Sequence, residues 1–71
     1  MNKVVIVMPV WNEAENIKRM IEELVKREFP TIDADMQLLV VDNHSTDGTT
    51  QTVESASKTY RHVHIIQQDK S

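Results

Sequence analysis

The chain opens on an apolar run, Lys3-Val4-Val5-Ile6-Val7-Met8, in which β-branched residues follow one another with no polar alternation. That is the pattern of a strand covered on both faces, and it predicts a central or near-central strand that Pro9 closes by removing a ladder donor. Beyond Val10 and Trp11 the spacing changes to the helical period. Asn12 has the chemistry of an N-cap, and Glu13 and Glu15 stand in the first turn, where the helix dipole favours acids. Ile17, Met20, Ile21, Leu24 and Val25 then recur at helical spacing, with Lys18, Arg19, Glu22, Glu23 and Lys26 on the other face. This predicts a helix that ends near Glu28, before Phe29-Pro30.

A second apolar run of strand length, Met36 to Val41, ends in Asp42 and gives way to the polar segment Asn43-His44-Ser45-Thr46-Asp47-Gly48. Asp47 or Thr46 can cap a second helix from Gly48 to Tyr60, whose apolar positions are only Val53, Ala56 and Tyr60, so half of it should face solvent. His62 to Ile66 reads as a short third strand with Val63 and Ile65 on one side and His62, His64 and Ile66 on the other. The order β-α-β-α-β implies an α/β fold: a three-stranded parallel sheet with right-handed crossovers and two helices. If the strands lie in space as three, two, one, both helices fall on one face and nothing covers the other. Parallel sheets are seldom left bare, so self-association or a continuation of the chain is expected to complete the fold.

Size sharpens that expectation. At 71 residues the chain is one domain at most, and ordering it costs on the order of 100 kcal/mol of conformational entropy. The hydrophobic content of 39% is not an ample counterweight. There is no cysteine, so no disulfide or thiolate metal site can staple the fold, and the composition suits a reducing cytoplasm. The net charge of −3, with both signs mixed along the chain, argues against non-specific nucleic-acid or anionic-membrane binding. Val4 to Val10 is far shorter than the ~20 residues of a membrane span and lacks the flanks of a signal peptide. A soluble, cytoplasmic segment with no nucleic-acid or membrane contact is expected.

In open parallel α/β sheets, ligands sit beyond the carboxyl ends of the strands. Two unusual segments fall there: Pro9-Val10-Trp11-Asn12-Glu13, and Asp42 to Gly48. They hold the only tryptophan, a strand-end carboxylate and the only glycine. An aromatic face beside a carboxylate acceptor suits a nucleobase, and the two helix starts at that edge would add backbone donors for hydroxyl or phosphate oxygens. The second segment is not a calcium loop, because its glycine is one place late and Val53 stands where a bidentate acid is required. His44, His62 and His64 read as partly exposed residues rather than a metal site.

The run from Val5 to Ile17, together with Leu39-Val40-Val41-Asp42-Asn43-His44-Ser45-Thr46-Asp47-Gly48-Thr49, resembles the start of glycosyltransferase family 2. The resemblance covers nearly the whole chain but only the first third or so of such a catalytic domain. It implies half of a Rossmann-like GT-A fold and inverting transfer of a sugar from a nucleotide-sugar donor. It further implies that Trp11, where tyrosine is more usual, lines the nucleobase pocket behind Pro9, that Glu13 contributes to the nucleotide pocket, and that Asp42 hydrogen-bonds the base, commonly uracil or guanine. Ser45 and Asp47 match the turn that caps the second helix. Asn43 and His44 stand where many members have aspartate and glycine; the candidate nucleotide-binding set is therefore Pro9, Trp11, Glu13, Asp42 and Asn43.

Family members also carry an Asp-x-Asp segment for a divalent metal, Mg or Mn, and an acidic general base. After Asp47 this sequence has only Glu54 and Asp69 as carboxylates, so residues 1–71 are expected to be a truncated nucleotide-binding subdomain that does not transfer sugar alone. No catalytic residue and no metal site is assigned to it. Plainer roles remain open: Trp11 as a loop aromatic over the helix, Glu13 as a dipole-stabilising acid, and the whole as a non-catalytic nucleotide-binding or self-association module. A receiver-like domain would need an acidic pair after strand one, where Met8-Pro9 stands.

Overall fold

A computed structural model describes residues 1–68; Asp69 lies outside the described residues. Strand β1 (Lys3–Val10) is followed by helix α1 (Ile17–Glu22), a π-helical stretch (Glu23–Glu28) and a 3-10 turn (Phe29–Thr31). Strand β2 (Asp35–Asp42), helix α2 (Thr49–Thr59) and strand β3 (Val63–Gln67) complete the chain. The sheet is parallel in the order β1-β2-β3, so the α/β fold expected from the alternation of patterns is the one found.

Pleating divides the sheet into two unlike faces. Ile6, Met8 and Val10 of β1, Met36, Leu38 and Val40 of β2, and Val63 and Ile65 of β3 point to the side of the helices. There Leu38 and Val40 are fully buried against Ile17, Ile21, Val25, Phe29 and Val53. Full burial of each such side chain is worth roughly 1.5–3 kcal/mol, which makes this layer the main stabilising element. The other face presents Val5 (48% exposed), Val7 (59%) and Ile66 (53%), with Leu39 and Val41 half-buried between them.

Two expectations about β1 are corrected. It is not central: β2 pairs with both neighbours and β1 lies at the edge, because each crossover adds the next strand on the same side. Nor does Pro9 end the strand, since it pairs with Val41 inside it. Val10 accepts a hydrogen bond from the Asn43 amide, so the even-numbered backbone groups face β2. Pro9, being odd, turns its nitrogen to the free edge and breaks no bond of the ladder.

The first helix also differs from its pattern. It begins at Ile17 rather than beside Asn12, after a turn in which the Asn16 and Ile17 amides donate to the Glu13 carbonyl. It then widens, with the Phe29 amide donating to the Leu24 carbonyl five residues back. Its buried residues Ile17, Ile21, Val25 and Phe29 recur strictly every fourth position. In an α-helix four residues overshoot a turn by about 40°, so a long α-helix would carry Phe29 off the sheet; wider turns cancel the drift. The Phe29-Pro30-Thr31 turn thus prolongs the helical path past Glu28.

Candidate functional site

Val10 and Asp42 stand opposite each other at the carboxyl ends of β1 and β2, so the loops that follow, residues 11–16 and 43–48, leave the sheet side by side. Three consecutive amides of the first loop donate to the second loop and the first residue of α2. Asn12 donates to Ser45 Oγ (2.9 Å), Glu13 to Thr49 Oγ1 (2.9 Å) and Ala14 to Asp47 Oδ2 (3.1 Å). In return Asn12 Oδ1 accepts from the Thr46 amide at 2.8 Å. Asn12 reaches this position with φ of 50°, a left-handed conformation that asparagine tolerates better than most residues. It is therefore not the helix cap its position in the sequence suggested; its side chain clasps the neighbouring loop.

The acceptors are themselves held. The Ser45 hydroxyl donates to Asp42 Oδ1 at 2.6 Å, the Ser45 amide to the same oxygen at 3.2 Å, and the Thr50 hydroxyl to Asp42 Oδ2. Burial alone would push the Asp42 carboxyl up, but the bonds from Ser45, Thr50 and the Gln67 side chain outweigh it and hold the group below its ordinary value. Asp47 accepts from the Thr49 amide at 3.1 Å and from its hydroxyl, and the Thr49 hydroxyl together with the Ala14 amide lowers its pKa as well. The expected cap is corrected: Gly48, at φ of 96°, is the N-cap of α2 and no side chain caps the helix from that position, while Asp47, one residue earlier, bonds the first helical amide from outside.

The sequence-predicted residues sort themselves on this ledge. Pro9, Trp11 and Asn43 are exposed at the edge, Trp11 to 62%, and Glu13 is half-buried. Glu13 has its amide given to Thr49 and its carbonyl to Asn16 and Ile17. Asp42 lies beneath them, fully buried and occupied by its own loop. The amides expected to serve ligand oxygens after strand one are spent on the clasp. Sequence reasoning passed over Asn12, Thr49 and Thr50 as organisers of the site. Their signal was the density of Ser, Thr, Asn and Asp after a strand, residues whose side chains readily bond nearby backbone.

His44 is the exception among these partnered groups. Its φ is 58°, and its Nε2 is enclosed without a hydrogen-bond partner among the described residues. A non-glycine residue in that region costs roughly 1–2 kcal/mol, and an unmade buried hydrogen bond about 1–3 kcal/mol more. The other histidines are engaged elsewhere: His62 Nδ1 donates to the Met36 carbonyl (3.0 Å), and His64 Nε2 meets Gln37 Oε1 (2.7 Å). Among the described residues no three His, Asp or Glu side chains converge as metal ligands. A cleft of about 550 Å3 beside Phe29, Met36, Arg61 and His62 opens at the amino ends of the strands, away from the ledge.

A three-stranded parallel sheet with two helices on one face, and with two loops clasped beyond the carboxyl ends of adjacent strands, has the architecture of a Rossmann-like half-sheet. The chain belongs to glycosyl transferase family 2, whose sequence profile matches residues 5–71. It is 34% identical over 65 residues to a protein named Glycosyltransferase AglE from Haloferax volcanii, a match that covers 92% of this chain and 21% of that protein. The chain thus spans about a fifth of the length of that relative and corresponds to part of a glycosyltransferase. No solved structure matches it significantly.

Proposed function

We propose that this chain is the nucleotide-recognition part of an inverting GT-A glycosyltransferase, with the donor nucleotide-sugar held on the clasped ledge by Pro9, Trp11, Glu13, Asp42 and Asn43. The observation that carries the reading is the exposed Trp11 ring at the rim of a ledge whose backbone is fixed from below by Ser45, Asp47 and Thr49. An aromatic on a rigid support stacks a base with little entropy to lose. Asn43, exposed beside it, has both an amide donor and an acceptor for base or ribose edges. Asp42 contributes from beneath: it fixes Ser45, and its carboxylate meets a base only where Ser45 or Thr50 turns aside.

In this reading the sugar leaves its diphosphate by a single displacement at the anomeric carbon, and the groups that clamp the diphosphate and deprotonate the acceptor come from outside these residues. The chain by itself binds nucleotide without transferring sugar. No helix among the described residues is long and apolar enough to cross a membrane. A second reading, a non-catalytic module that associates with copies of itself, is favoured by the bare sheet face.

Calorimetry with UDP and GDP tests the proposal, with fluorescence of the single tryptophan as a second signal. Binding that quenches Trp11 is expected, and Trp11→Ala should weaken it by about 1–3 kcal/mol, the worth of one base–aromatic stack. No heat and no quenching at millimolar nucleotide would remove the reading.

A further inference from the structure

We propose that His44 is a nucleotide-contacting residue of the ledge, its imidazole Nε2 taking as partner a hydrogen-bonding group of the bound nucleoside. The inference rests on the ledge being a nucleotide site. Around His44 the polar side chains are satisfied within the protein: Asp42 by Ser45 and Thr50, Asp47 by Thr49 and Ala14, and Ser45 and Thr49 by the amides of the first loop. Among the described residues His44 Nε2 has no such partner, although it is enclosed.

The fold gives no other reason for this side chain. His44 is outside the hydrophobic core, caps no helix, and sits at a backbone position where φ of 58° favours glycine over any residue with a Cβ. An unfavourable backbone and an unfilled hydrogen bond at one residue mark a place where local order is kept for something the protein alone does not contain. Neutral imidazole carries one donor and one acceptor, so it can meet either edge of a base or a ribose hydroxyl. The loop is anchored on both sides of His44, by Asn43 to Val10 and by Ser45 to Asp42. Contact between the enclosed Nε2 and a nucleoside requires the ring to turn about its side-chain torsions, a movement that leaves these backbone bonds, and so the clasp, in place.

The test compares wild type with His44→Gly, a change that suits the left-handed backbone and leaves the fold intact by circular dichroism. Titration with UDP and GDP should show binding by wild type and affinity about tenfold weaker in the variant, the loss expected of one hydrogen bond. In nitrogen-15 spectra of the wild-type imidazoles, nucleotide should shift the His44 Nε2 resonance and leave those of His62 and His64 in place. Affinity of His44→Gly within twofold of wild type, or a stationary His44 resonance at saturation, would overturn the proposal and leave the ledge reading standing. Absence of binding by wild type would overturn both.

Discussion

Ser45 links three parts of the site with one hydroxyl, accepting from the Asn12 amide and donating to Asp42. Ser45→Ala leaves that amide without its acceptor and Asp42 short of a donor, so a cost of about 1–3 kcal/mol is expected. For a domain of this size that is a fall in melting temperature of roughly 4–8 °C per kcal/mol, readable by circular dichroism. Asp42 and Asp47 both titrate below the ordinary value of 3.8 in the folded protein. A carboxyl depressed on folding binds fewer protons in the native state. Its stabilisation is complete above the unfolded pKa and is lost as pH falls through the folded one. Melting temperature should therefore hold from neutral pH down towards 4 and drop below it, and Asp42→Asn should start lower but fall less. Asp42 shows what a sequence can and cannot say. A carboxylate straight after Leu-Leu-Val-Val signals something unusual, because burying it unpaired is costly. Which donors satisfy it depends on the hydroxyls that the loop conformation brings within reach, and residue spacing alone does not fix that.

At the level of elements, the strands and helices were legible as periods: an unbroken apolar run, a helical stripe, a second run and a shorter one. The start of the first helix was not. Asparagine serves equally as an N-cap and as a left-handed loop residue, and at Asn12 the choice falls to the second alternative because Thr46 is waiting opposite. The apolar run of β1 suggested a central strand, yet the order three, two, one, which the sequence also allowed, is the one found among the described residues; an apolar run looks the same whether or not its outer face is covered. The widening of the first helix was not legible either: the sequence shows an α-helical stripe from Ile17 to Val25, and the burial of Phe29 in line with Ile17, Ile21 and Val25 emerges only in the fold. Ile21, fully buried against the sheet, is the test of that element. Ile21→Ala should cost about 2–5 kcal/mol, comparable with the total stability a core of this size supplies, and so unfold much of the chain at room temperature by chemical denaturation. Lys18→Ala, on an exposed position of the same helix, should stay within about 0.5 kcal/mol.

At the scale of the whole molecule, the sheet of the described residues has one covered side and one bare side. Val5, Val7 and Ile66 stand exposed on a sheet face that neither helix reaches, beside the free β1 edge, and contiguous apolar surface of this sort is a docking or aggregation site. Sedimentation should give a mass above that of the monomer, rising with concentration. Val7→Glu combined with Ile66→Lys should restore the monomer with little loss of melting temperature, because neither side chain is buried in the helix-covered core. The clasp carries a different consequence. Its three amide bonds join residues 33 to 36 positions apart, and such contacts form only after the intervening chain has been ordered. During synthesis the ledge cannot exist until Thr49 has left the ribosome and β2 has found its register on β1. Until then Trp11 rides on an unfastened loop.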